Sequence, residues 1–354
     1  MRADGVYVVG LGASTPVGRD PWSSAAAVRA SITGFTDHPY MIDRVGEPMQ
    51  VALAPWLDID LTPLERFEGL LFPAIEQALE SVGGATDVAI RVALALGLPP
   101  ARPGLPSSLE LGLRAGIAAQ FESRFNAVAM FHVGHAAGFI GMLAAIRRME
   151  TGVFDACVVA GVESYLAPES LEWLEHNEQL HGAGPNQNAW GFVPGEAAGA
   201  VLLATEDVVA RVGLEPFARV LSVGQGREEK RIKTQTVCTG EGLTTAFHES
   251  LAALPNGARV TDVFCDMNGE PYRADEFGFA MLRTRESFAS TSDFVAPASS
   301  WGDVSAASAP LGIMLAAIAA DTGYANGTHA FVWASSEGGE RGAALLLVPE
   351  IERA

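Results

Sequence analysis

Positive charge is what this 354-residue sequence has least of: 23 lysines and arginines face 42 aspartates and glutamates, a formal net charge of −19. A surface of that sign repels nucleic acid and anionic lipid, so neither is expected as a partner. Cysteine is also sparse, with only Cys157, Cys238 and Cys265. An odd number of scattered cysteines excludes a disulfide framework, and Cys157 and Cys265 lie in apolar strand-like runs, so they read as buried reduced thiols. No apolar stretch approaches a membrane span, and Met1-Arg-Ala-Asp-Gly5 shows no apolar signal region. Together these absences predict a cytoplasmic protein.

What is present is an apolar half of the composition, 49%, enough for a large core. Strand-like and helix-like apolar runs alternate throughout, the pattern of an α/β fold. The second half echoes the first. Ile140-Gly-Met-Leu-Ala-Ala-Ile146, a Thr151-Gly152 turn and the strand Ala156 to Glu163 are matched by Gly312-Ile-Met-Leu-Ala-Ala-Ile318, Thr322-Gly323 and Ala330 to Glu337. Closing strands (Gly199 to Ala204, Gly342 to Val348) and opening strands (Val6 to Gly12, Ala218 to Gly224) correspond in the same order. An ordered set of this kind predicts a duplication, with halves over 1–210 and 215–354. Only the first half carries a long excursion between its last two strands, residues 165–190, of the kind that covers a site or reaches a partner.

His135 sits in Phe131-His-Val-Gly-His135-Ala-Ala-Gly138, where a strand turns into a helix. Helix N-terminal amides favour an anion there, which suits a thiolate and pushes an imidazole towards its neutral form. His132 falls in the strand-like part, where a spacing of three puts side chains on opposite faces, so the two histidines are not a ligand pair. Cys238 has no basic neighbour in sequence and reads as a spectator thiol, and the cluster Arg227 to Lys233 reads as a solvated loop. Thr244 or Thr245 is expected to cap or start the following helix, with Glu241 in its first turn and His248 on its face. Gly182 to Asn188 has no phosphate-cradle spacing and reads as a flexible cover.

Gly10-Leu-Gly-Ala-Ser-Thr-Pro-Val-Gly18, Trp22 with Ala30 to Gly34, Asp155 to Glu163-Ser164 and Trp190-Gly-Phe-Val-Pro-Gly-Glu196-Ala-Ala-Gly199 resemble the scaffold motifs of the β-ketoacyl synthases (3-oxoacyl-ACP synthases) of the thiolase-like superfamily. The resemblance covers nearly the whole chain and implies a thiolase fold, five layers αβαβα built from two duplicated halves. It makes Glu196 a buried turn-fixing carboxylate. It also implies a catalytic Cys-His-His set, and here the equivalent positions hold His135, Asp266 (in Cys265-Asp266-Met-Asn-Gly-Glu-Pro271) and Asp303 (in Trp301-Gly-Asp303). The gating loop corresponds to Ser336-Glu-Gly-Gly-Glu-Arg341 without its phenylalanine and asparagine.

Decarboxylative condensation needs a thiolate carrier and two imidazoles that donate to the enolate and the thioester carbonyl. Carboxylates only accept hydrogen bonds and repel an enolate. The resemblance therefore implies a non-condensing pseudoenzyme acting as scaffold, partner subunit or accessory protein, with type VI secretion effector loading as one precedent. The alternatives are an acyltransferase or a thioester hydrolase or decarboxylase using His135, Asp266 and Asp303, or an acyl-ligand sensor. A His with two carboxylates also suits a divalent metal or a polarised water. The expectation is nevertheless no metal and no cofactor. A homodimer is expected, paired through the strand Ala156 to Gly161. A heterologous protein partner is possible, whereas an acyl-carrier protein, itself acidic, is disfavoured.

Overall fold

The computed structural model describes residues 5–83, 89–122, 124–231 and 233–350; residues 1–4 of the N-terminal reading and Ile232 of the basic cluster lie outside them. The first half runs β1 (Val6–Ser14), α1 (Pro21–Arg29), β2 (Phe35–Ile42), β3 (Pro48–Ala52), α2 (Pro63–Gly83), β4 (Val92–Gly97), α3 (Leu109–Phe121), β5 (Phe125–Phe131), α4 (Ala137–Glu150), β6 (Ala156–Ser164), α5 (Pro168–His176) and β7 (Glu196–Thr205). There follow α6 (Glu206–Val212), β8 (Ala218–Arg227), α7 (Glu241–Leu251), β9 (Asp262–Cys265), α8 (Pro271–Thr284), α9 (Ala298–Trp301), α10 (Ser308–Asp321), β10 (His329–Ser335) and β11 (Glu340–Leu347). A boundary at residue 210 falls inside α6 rather than in a linker.

Strand order is β5-β4-β6-β7-β1-β8-β11-β10-β9. The two half-sheets meet only where Tyr7 and Val8 pair with Arg219 and Ala218, so the sheet is in effect two. Between them lie α4 and α10, and their apolar side chains merge with both sheet faces in one core. Residues 309–320 of α10 are all buried, as a helix covered on every side requires. Each of its Leu, Ile and Met side chains contributes about 1.5–3 kcal/mol of burial. Helices α2 and α3 cover the outer face of the first half-sheet, and α7 and α8 that of the second. The result is five layers, αβαβα. Gly10 and Gly12 let α2 lie directly on β1, since a Cβ there would come within 2.0 and 1.8 Å of the carbonyls of Ala78 and Ala74.

Two expectations need correction. Strand β6 is buried along its whole length between β4 and β7, so Ala156 to Gly161 cannot pair with a second chain; the exposed edge of the first half-sheet is β5. The threonines do not cap α7: its N-cap is Gly240, at φ 66°, and Thr244 and Thr245 donate back to the carbonyls of Gly240 and Glu241. The excursion after β6 packs on the β2–β3 hairpin through Leu171, Leu174, Leu180, Phe192, Met49 and Val51, and Asp43 of the hairpin accepts the Gly184 amide. Burial pushes the Cys157 thiol up to about 12, and Cys265 is buried as well. No helix among the described residues is long and apolar enough to cross a membrane.

Candidate functional site

The site forms where α4 begins. Strand β5 ends at Phe131, and Gly134, at φ +71°, opens the single 3-10 turn that carries His135 into α4. A Cβ at Gly134 would press on Ser305 Oγ at 3.1 Å, and the positive φ suits glycine. The Ala136 amide at the head of the helix, a donor an anion would otherwise use, is taken by Ser336 Oγ at 2.9 Å.

His135 is buried, and its Nε2 lies 3.0 Å from both carboxylate oxygens of Asp303. A carboxylate can only accept, so Nε2 carries the proton. Arg273 Nη2 stands 3.3 Å from the same nitrogen. Burial and the Arg273 charge work against protonation of His135, yet the Asp303 carboxylate outweighs them and holds its pKa above the ordinary value. The shift runs opposite to the push towards the neutral form expected at a helix N-terminus, because the Asp303 carboxylate lies against the ring. Burial likewise opposes the Asp303 charge, and His135 and Arg273 override it, holding that carboxyl well below the usual range. Asp303 also accepts the Ser305 amide at 2.9 Å and Asn268 Nδ2 at 2.7 Å.

Asp266 does not touch His135 directly. Its Oδ2 accepts from Arg273 Nη1 at 2.9 Å and from the Ser335 amide at 2.8 Å. The three expected residues converge around a fourth, Arg273, that sequence reasoning missed. Burial works against its charge, but Tyr272, Asp266, Asp303 and Glu270 more than offset this and raise its pKa. A signal existed: the buried stripe of α8 is Arg273, Glu276, Phe277, Ala280, Met281 and Thr284, a helical spacing whose first two members are ionic. Lys233, one of two lysines in the sequence, closes the rim, with Nζ 2.7 Å from Glu337 and 3.1 Å from Glu270. The basic segment is thus more than a solvated loop. Gln179, from the excursion, donates to the same Glu337 carboxylate at 2.9 Å.

Beside Asp303 the fold leaves a cavity of about 20 Å³, walled by Trp301, Trp333, Val304 and Asp266, room for about one water and not for an acyl chain. On another side Arg102 pairs with Glu163 at 2.6 Å and lies 4.2 Å over the Tyr165 ring. Glu196 accepts the Ala54 amide, Arg66 and Ser164, fixing three elements together. His132 is exposed and bonds Glu110. Among the described residues, His135, Asp266 and Asp303 do not group as metal ligands. The side chains that do are Glu228, Cys238 and Glu276, where Glu276 is already paired with Arg341 at 2.6 Å.

These layers and this turn are those of the ketosynthase, thiolase-like fold. Residues 115–208, which include the His135 turn, match the family model of the β-ketoacyl synthase N-terminal domain. No curated protein matches the sequence. Among solved structures, a chain of a type II PKS acyl-carrier protein in complex with its ketosynthase bound to the hexaketide superposes with a TM-score of 0.77 at 13% identity, covering 97% of this chain and 99% of that one. The ishigamide ketosynthase/chain length factor gives 0.69 at 18% identity over 97% and 99%. A β-ketoacyl synthase from Burkholderia phymatum STM815 gives 0.74 at 14% identity over 99% and 100%.

Proposed function

We propose that this chain is a ketosynthase-fold protein without condensing activity, a cytoplasmic scaffold, partner subunit or accessory protein. The observation that carries this reading is the state of the nucleophile position. His135 is buried and its Nε2 faces both oxygens of Asp303, which can only accept, so Nε2 has no free lone pair to attack a thioester or take a proton. The helix amide beside it is occupied by Ser336. Asp266 and Asp303 both serve Arg273 and His135 rather than a substrate. The hydrolase, acyltransferase and acyl-sensor readings all need a free group at His135, and its bond to Asp303 disfavours them. Incubating the purified chain with acyl-CoA or acyl-carrier-protein thioesters should leave its intact mass unchanged. A stoichiometric acyl adduct on His135 or any cysteine would overturn the reading.

The partner surface we infer is the β5 edge, where Asn126, Ala127 and Ala129 are exposed and the unpaired strand edge is free to add another strand. A second copy of the chain is the first occupant to test. The net charge of −19 disfavours an acidic carrier protein, while the ketosynthase/chain length factor neighbour supports asking for a heterologous, ketosynthase-like partner too. Light scattering on the wild type should give a dimer mass, and the double variant A127E/A129E, altered only at exposed sites, should give a monomer that remains folded. A monomeric wild type would move the assignment to a heterologous partner.

A further inference from the structure

We propose that the exposed face of helix α8 is a self-association surface, on which α8 of a second copy of this chain lies antiparallel about a two-fold axis. The helix covers the second half-sheet, whereas β5 is the edge of the first, so the inference does not depend on whether that edge pairs. Asp275, Gly278, Leu282 and Arg285 follow one another at spacings of three, four and three, which puts them on one side of the helix. That side is turned away from the core: all four residues are exposed, Leu282 at 69%. Arg285 closes the helix at φ −50° and ψ −34°, still helical, so the face is continuous to its end. A shallow groove of about 570 Å³ runs over it, with Ala274, Phe279 and Thr291 along its walls.

Two of these residues are unfavourable in a free helix. Glycine is the weakest helix former after proline, yet Gly278 stands in the middle of α8, where an added Cβ would meet nothing within 4 Å. No contact inside the chain requires the glycine there. Four residues on, Leu282 holds a large apolar side chain in solvent. A second α8 accounts for both. In an antiparallel pair the layers formed by 275 with 285 and by 278 with 282 share one midpoint, level with residue 280, so a single two-fold axis satisfies both at once. Leu282 of each copy then fills the hollow over Gly278 of the other, and Asp275 of each meets Arg285 of the other. Within one chain Arg285 lies 3.4 Å from its sequence neighbour Glu286, both largely exposed, a weak pair that leaves the guanidinium free to turn. A helix of another protein has no reason to carry this order of acid, hollow, leucine and base in reverse; a second copy carries it by necessity.

Two short helices bury little surface, which makes the association weak. The chain carrying A127E/A129E, with its β5 edge blocked, is then a monomer in dilute solution, and sedimentation equilibrium should show its mean mass climbing towards two chains at sub-millimolar concentration. On that background D275R sets arginine against Arg285 in both outer layers and should weaken the association about tenfold. The double exchange D275R/R285D restores the pairs in reverse and should recover it. In G278L the new side chain has open space in the monomer, so the variant should keep its circular dichroism, melt no lower than its parent and fail to associate. A mass of one chain at every concentration, a D275R/R285D variant that associates no better than D275R, or undiminished association of G278L would each overturn the proposal.

Discussion

Asp303→Asn keeps the shape of the side chain and removes its charge, which makes it the sharpest probe of the site. In the wild type the carboxylate lies 3.0 Å from His135 Nε2 through both oxygens. In D303N the imidazolium loses its only direct anion while Arg273 remains 3.3 Å away, so His135 must deprotonate or stand beside a like charge. Removing one partner of a buried ion pair costs about 3–5 kcal/mol. The pH dependence is more diagnostic than the loss itself. His135 is raised from its ordinary 6.5, so its stabilisation is whole below that value and is lost as pH rises through the raised, folded-state value. Asp303 is depressed from 3.8, so its stabilisation is whole above that value and is lost as pH falls through the depressed one. The pair's contribution therefore peaks between those two ordinary values. Each unit by which His135 is raised is worth about 1.4 kcal/mol. Urea unfolding followed by circular dichroism at about pH 5.5 and about pH 8.5 should show the wild type more stable at the lower value, and D303N should lack that difference. Equal wild-type stability at both values, or an unchanged slope in D303N, would refute an ionic His135–Asp303 pair.

Two further substitutions test the backbone that holds the site. Ser305, buried at φ 36°, is a non-glycine residue in the left-handed region, so S305G is expected to stabilise the chain by about 1 kcal/mol in the same unfolding assay. A loss of stability would mean that its hydroxyl matters more than its backbone. Gly161 lies where a Cβ would come within 2.0 Å of the Ala306 carbonyl, so G161A forces β6 away from the turn that follows Asp303 and should cost about 1–3 kcal/mol. It should also weaken the pH dependence, because that turn positions Asp303; a variant as stable as wild type would show the contact to be yielding.

The layers were legible because apolar periodicity records which faces are buried. The matched runs at 140–146 and 312–318 fall in α4 and α10, the two helices of the central layer. The matched strands fall in β6 and β10, β7 and β11, and β1 and β8, in corresponding places of the two half-sheets. The expectation of a free edge at Ala156 to Gly161 fails because chain order is not sheet order: β6 follows the site helix but is inserted between β4 and β7. The pairings of Arg273, Arg102 and Lys233 were not legible for a different reason. Arg273 and Arg102 are buried only because tertiary partners neutralise them, and Lys233 is held at the rim in the same way; those partners (Asp266, Glu163, Glu337) lie 7, 61 and 104 residues away. The β2–β3 hairpin escaped because its strands are short and largely exposed on one side.

The pairing of His135 with Asp303, and of Arg273 with Asp266, also limits how this chain can change. A cysteine at 135 takes the imidazole from Asp303 and leaves it Arg273, Asn268 and the Ser305 amide, a histidine at 303 puts two imidazoles against one guanidinium, and a histidine at 266 takes from Arg273 its 2.9 Å carboxylate partner. Each single step removes one partner of a buried ion pair and costs about 3–5 kcal/mol, a large part of the stability of an ordinary domain. A thiolate site could be reached only through several simultaneous exchanges. The present arrangement is therefore entrenched: a valley in sequence space surrounds it, and one-residue steps do not cross that valley.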